Sequence, residues 1–464
     1  MNHKTLSARL ALLQLAPDRG SRGLALPLLL SVMALMLVLW STLTARAATT
    51  ISVNTTNDVM DAGDNLCSLR EAIIAANIDT PSGAGPNECP AGSGDDIINV
   101  PGGTYLLTRV GSDDDAQNGD LDLAASVTLS GAGLASTIID GNGSVTIDRV
   151  FHVLTATVTI SGVTVQKGNV VSSKPGGGIL NEFGTLTVTH SAVMSNTASG
   201  VVGGGGIANW IGRSLTVINS TVRGNSTTGS GGGIFNASQS SMVTIIGSTI
   251  SGNTANSYGG AITNNCLSSL TIVNSTLSAN QARWDGGAIY NCGMTNLYNV
   301  TIAYNTADYD GTDDGNGGGV SSPLGSGPLT SRNSVIALNT DASPSAQAPD
   351  CGGTLASPSH TLVGNNTGCS GITDGVNGNK VGAGANPLNP QLGPLQDNGG
   401  ATFTHALLPG SPAINAGNPL ACLDHLGMTL MIDQRGFARP MAVTCDMGAF
   451  EATIYDLFLP LILR

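Results

Sequence analysis

Two stretches of the chain gather oxygen-bearing side chains closely enough to hold a cation. Asp113, Asp114 and Asp115 run into Asn118, Asp120 and Asp122, and further on come Asp308, Asp310, Asp313, Asp314 and Asn316. Oxygen-rich loops that also carry glycine suit a hard cation such as Ca2+. Asp113, Asp115, Asn118, Asp120, Asp308, Asp310 and Asp313 are therefore the candidate calcium ligands. Neither stretch has the spacing of an EF-hand loop or of the nonapeptide calcium repeat. The plainer reading, a solvated loop standing out from one repeat, is preferred, and no other cofactor is expected.

The remaining chemistry-bearing residues point toward structure. None of His3, His152, His190, His360, His405 and His425 shows metal-ligand spacing, and the chain has no G-x-S-x-G elbow and no P-loop. No catalytic residue is assigned. His405 reads as part of a structural cap, and Asp433, Arg435, Arg439 and Asp446 as ion pairs within it. The eight cysteines, Cys67, Cys89, Cys266, Cys292, Cys351, Cys369, Cys422 and Cys445, include no CxxC. In an exported chain that favours disulfides over metal thiolates. They fall into four local groups of two, which favours sequential pairing.

What would position these residues is a repeat. GGGILN, GGGIAN, GGGIFN, GGAITN and GGAIYN recur, followed by GGGVSS; their aliphatic residues are Ile179, Ile207, Ile234, Ile262, Ile289 and Val320. Asn196, Asn225, Asn253, Asn280, Asn305 and Asn339 keep the same beat, each with an aliphatic residue three positions earlier. Apolar and polar residues alternate within each unit, as in LTVINST, so the units are strands and not helices. A lap of three short strands and three bends would lay equivalent residues over one another at about 4.8 Å. Ile179, Ile207, Ile234, Ile262 and Ile289 then form an interior column. Asn209, Asn236, Asn264 and Asn291 form a hydrogen-bonded one, as stacked asparagines do in cross-β structures. Gly and Asn also suit the bends, where φ is positive. Cys266 and Cys292, in matching places on adjacent laps, come within disulfide range.

Composition agrees. The chain has 464 residues, 63 of them Gly, with only 4% aromatic and 11% charged residues. Residues 1–47 read as a Sec-type leader: basic positions up to Arg22, an apolar run Leu24–Trp40, and Ala45-Arg46-Ala47 before the cut near Ala47. The rest carries a net charge of −17, which repels phosphate backbones and excludes a nucleic-acid partner. The expected location is secreted or cell-surface.

The segment CSLREA at Cys67–Ala72, with GDLDL at Gly119–Leu123 and DRVF at Asp148–Phe151, resembles the CSLREA domain of exported bacterial β-helix proteins. The GGAI repeats at Gly259–Ile262 and Gly286–Ile289 resemble those of polymorphic outer-membrane proteins. The stretches PLQDNGGATFTHALLPGSPAINAG, DQRGFARP and CDMGAFE, within Asn386–Glu451, are similar to the choice-of-anchor Q domain. The resemblance implies a surface location and an adhesive or structural role.

The expected fold is all-β: a right-handed single-stranded parallel β-helix, a pectate-lyase-like solenoid, with a short N-terminal capping helix at 69–76 and a C-terminal cap. The expected order is a leader over 1–47, a CSLREA-type cap over 48–96, β-helix repeats over 97–345, C-terminal coils and cap over 346–451, and an apolar sorting or anchoring tail over 452–464. Ser68 with Glu71 predicts the helix start, a capping box, and Cys67 would tie to Cys89. The expected function is to present a Ser/Thr/Asn-rich face to a glycan or an envelope protein, in peripheral association with the cell envelope. The alternative is a polysaccharide lyase or glycoside hydrolase. Such chemistry needs facing carboxylates, and the regular coils 176–306 hold only Glu182 and Asp285.

Overall fold

In LTVINST and LTIVNST every second residue is apolar, and in the computed structural model both segments lie in strands whose alternate residues, Leu215, Val217, Leu270 and Ile272, are wholly buried. The structure describes residues 47–453 apart from 172–174, 201, 238–239, 313–314, 346, 421 and 443. The leader expected over 1–47, apart from Ala47, and the tail expected over 452–464, apart from 452–453, lie outside the described residues. Among the described residues no helix is long and apolar enough to cross a membrane.

The central laps pass through four ladders. Taking one lap as the example, the first ladder holds Ile179–Asn181, the second Thr185–Thr189, the third Ala192–Met194 and the fourth Thr197–Ala198. These ladders contain 10, 10, 11 and 7 strands, and the chain winds through them as a parallel β-helix. Ile179, Ile207, Ile234, Ile262, Ile289 and Val320 pair in sequence down the first ladder, all parallel and all wholly buried. Phe151 and Leu121 extend that column toward the N-terminus and Cys351 toward the C-terminus. Pairing reaches outside 97–345 at both ends: Thr50–Ser52 joins Ile97–Asn99, and Lys380–Val381 joins Leu362–Val363.

The asparagine columns are continuous. Asn181 donates through Nδ2 to Asn209 Oδ1, Asn209 to Asn236, Asn236 to Asn264, Asn264 to Asn291, and Asn291 to the Ser322 hydroxyl, at 2.8–3.2 Å. A second file runs Asn196, Asn225, Asn253, Asn280, Asn305, Asn339, and from Asn225 onward each Oδ1 accepts both the backbone N–H and the Nδ2 of the asparagine one lap earlier. That file ends on Asp350, whose carboxylate accepts from Asn339. These asparagines stack and do not bend the chain. The positive-φ position lies one residue earlier, at Gly224, Gly252, Ala279 and Tyr304. The GG pairs have two separate causes. Gly259 has φ +65°, and a Cβ on Gly260 would run into the carbonyl oxygen of Gly287 on the next lap.

The stack is closed at its start by helix α1, Leu69–Ile78, which carries the Ser68–Glu71 capping box and runs two residues past the expected end. Leu69, Ala72, Ile73 and Ala76 join the main core. The C-terminal cap lies along the side of the stack, on the third ladder. The outward residues of that ladder turn apolar there: Val335, Leu362, Ala303 and Ala337 form a second core with Leu407, Met447 and Phe450. Gln434 continues the seam, accepting from Thr276 and donating to Thr249. Four disulfides pair the cysteines in sequence, Cys67–Cys89, Cys266–Cys292, Cys351–Cys369 and Cys422–Cys445, and no cysteine is free. Such pairing belongs to an oxidising environment.

Candidate functional site

The Gly119–Leu123 and Asp148–Phe151 segments meet the helix at a buried polar cluster. Arg70, 1% exposed, donates to Asp58 and to the carbonyls of Ala116, Gly119 and Asp120. Burial opposes the charge on Asp58, but Arg70 and the amides of Thr108 and Arg109 hold its carboxyl below the ordinary range. Asn77, near the other end of the helix, donates to Asp122 O and accepts from Ala124 and Ala125. One lap is thirty residues here, so Asp122 pairs in register with His152. His152 Nδ1 lies 3.1 Å from Asp122 Oδ1, and Nε2 lies 2.9 Å from Glu182 Oε2. Beside them Asp120 pairs with Arg149 at 2.8 Å. Burial pushes the Asp120 carboxyl up to about 7 against the pull of Arg149, with Asp148 and Asp122 adding to the rise. Spacing along the chain gave His152 no ligand-like neighbour; the lap supplies Asp122.

The calcium candidates divide. Asp113 accepts from the amides of Asp115 and Gln117 and from Asn118 Nδ2, and Asp115 accepts from Gln117 Nε2. Asp120 is in its ion pair. In the second stretch Asp308 is wholly buried and accepts from the Thr312 amide, and Asp310 pairs with Arg283 at 2.6 Å. Asp313, with Asp314, lies outside the described residues.

The first-ladder flank gathers aromatic rings that sequence reasoning did not single out. Trp210 stacks near Phe235 at 6.2 Å, and Tyr258 sits 4.4 Å from Tyr290 and 5.0 Å from Trp284. Phe235 and Tyr290 stand in one outward column, with Thr263 between them. The signal was available, since GIFN and GAIYN place both rings directly after the column of isoleucines. Burial pushes the carboxyl of Asp285, beside these rings, up to about 6. The nearby Asp341 spends its oxygens on Ser343 and on the Ala348 amide.

A groove of about 570 Å³ lies on the third ladder, where the cap stops short of the N-terminal laps. Its floor is outward side chains of consecutive strands: Gln166, Met194 and Arg223 in one file, and Thr164, Thr221 and Thr249 among those in the next. Phe403 and Leu395 of the cap form its far wall, and Phe403 is 47% exposed. Arg223 is its one charged residue, and none of the described lining residues is a carboxylic acid. The volume falls within the range of small-ligand sites.

In the cap, His405 bridges Gly393 O and the Ser278 hydroxyl. Arg435 pairs with Asp433 at 2.7 Å, and Arg439, 1% exposed, with Glu451 at 3.0 Å. Asp446 accepts from the Asn415 and Ala452 amides.

No protein-family model matches this sequence, and no curated protein matches it. Among solved structures the chain is similar to one described as the crystal structure of pectate lyase Pel9A. The TM-score is 0.49 and the identity 14%, over 87% of this chain and 96% of that one. No residue role is carried over from it.

Proposed function

We propose that this is an exported β-helix protein of the cell surface, adhesin-like, that binds an extended glycan in the third-ladder groove without cleaving it. The observation that carries the reading is the lining of that groove. Gln166, Thr221, Arg223 and Ser251 present polar groups to it from laps that repeat at about 4.8 Å, which suits the repeated hydroxyls of a saccharide chain. Phe403 offers an apolar face for a sugar ring, and Arg223 favours a glycan that carries carboxylate or sulfate groups. The leader expected over 1–47 would deliver the chain to the oxidising compartment that its disulfides need, and the apolar tail expected over 452–464 would retain it there.

The alternative, a polysaccharide lyase or glycoside hydrolase, has one feature in its favour. Asp285 keeps its proton near pH 6 beside Tyr258, Trp284 and Tyr290, as a general acid would. Two carboxylates near it among the described residues are engaged elsewhere. Asp341 is held by Ser343 and Ala348, and Asp310 by Arg283.

Incubating the full exported protein with acidic and neutral oligosaccharides, with binding and new reducing ends measured together, tests the reading. Binding of acidic chains, weakened roughly 10–100-fold by Arg223→Ala as expected for loss of a charged hydrogen bond, supports it. Release of new ends, or binding that Arg223→Ala leaves unchanged, overturns it.

A further inference from the structure

We infer that Asp114, Asp122 and His152 form a binding site for a divalent transition-metal ion of the zinc type, separate from the groove. One ligand atom from each residue lies within 4.8 Å of the other two. His152 Nδ1 is 3.1 Å from Asp122 Oδ1 and 3.7 Å from Asp114 Oδ1. Donors bound to zinc at 2.0–2.2 Å lie roughly 3.0–3.5 Å from one another, so modest movement of Asp114 closes the set. Asp114 is the surface member of the set, its side chain 65% exposed, while those of His152 and Asp122 are 1% and 0% exposed.

A second, independent feature points the same way. Metal-bound histidine commonly donates its other ring N–H to a carboxylate, which fixes the tautomer and the ring plane. Here Glu182 stands 2.9 Å from Nε2, so Nδ1 is the nitrogen left for the metal. Asp122 is oriented as well, since its Oδ2 accepts the Ala116 amide at 2.8 Å. Two carboxylates and an imidazole suit a borderline cation such as zinc better than calcium, which takes oxygen donors in larger number. Three protein donors leave a coordination position for water. Because Asp114 belongs to the 113–118 loop and the other two belong to the ladder, the ion would fasten that loop to the first laps.

The test is calorimetric titration of the chelator-treated full protein with Zn2+, alongside Ca2+. The expected result is one zinc per chain with micromolar or tighter affinity, weaker calcium binding, and slower hydrogen exchange over 111–119 when zinc is present. Asp114→Asn, a change at an exposed side chain, should lower zinc affinity at least about tenfold. Glu182→Gln should lower it about 10–100-fold, as loss of such orienting partners does. If His152→Gln does not fold, Asp114→Asn and the exchange measurement still decide the matter. Zinc binding unchanged in Asp114→Asn, or a stoichiometry other than one, overturns the site and leaves His152 as a bridge between two carboxylates.

Discussion

At the scale of single residues, many polar groups are buried, and some of the charged ones are tied to several partners. Arg70 shows the logic. A guanidinium that donates to Asp58 and to three carbonyls joins the capping helix to the first complete lap. Removing one partner of such a pair leaves an uncompensated buried charge, at a cost of about 3–5 kcal/mol. Arg70→Ala should therefore speed hydrogen exchange in strands 96–153 while leaving 250–340 protected. Arg70→Lys should not rescue it, because an ammonium cannot span the same acceptors. Uniform exchange across both regions would contradict this. The arginine was legible as a letter in CSLREA; its carbonyl acceptors were not, because they lie 46–50 residues away.

At the scale of elements, the asparagine file imposes a direction. A middle member must both accept and donate: Asn253 accepts from the Asn225 N–H and Nδ2, and donates to Asn280 Oδ1 and Val222 O. Asp350 at the end faces only N–H donors, from Asn339 and Asn365. Asn253→Ala should thus destabilise by about 1–3 kcal/mol, the cost of orphaned buried groups. Asn253→Asp should be worse, because its carboxylate would face two acceptors. Thermal unfolding of the two variants gives the ranking, and an Asn253→Asp protein as stable as the parent would refute it. A third file escaped sequence reading. Ser191 accepts from Val163 N–H, Ser220 from Ser191, Ser248 from Ser220, and Ser275 from Ser248. NST and GST recur at those places, so the signal was present in the repeat.

At the scale of the whole molecule, burial sets the pH response. Burial pushes Asp285 and Asp350 up to about 6 and Asp446 up to about 7, from 3.8. Each raised carboxyl holds a proton in the folded state that the unfolded chain releases. Its contribution is full below about pH 4 and is lost as pH rises through 6 to 7. Burial lowers His360 and His405 from 6.5; these act the opposite way, favouring the fold above 6.5, and are outnumbered. The growing net negative charge adds to the decline. The melting temperature should be higher at pH 5 than at pH 7.5, and a rise between the two would reject this account.

The sequence by itself determined the lap. A period of 27 to 28 residues with alternating strands leaves each unit unable to bury its own apolar face, so neighbours must stack, and like residues then fall into columns. Ile179 through Val320, the Asn209-to-Asn291 file and the Cys266–Cys292 bridge follow from that one requirement. Only the tertiary structure decided what faces outward. Whether His152 meets Asp122 and Glu182 depends on how laps of unequal length align. Whether the third ladder becomes a groove or a seam depends on where the C-terminal cap lies down. Local periodicity governs which side chains enter the core, because burial rewards each lap in the same way. The outer face depends on contacts between segments more than a hundred residues apart, such as Thr249 with Phe403 and Thr276 with Gln434, and no repeat encodes them.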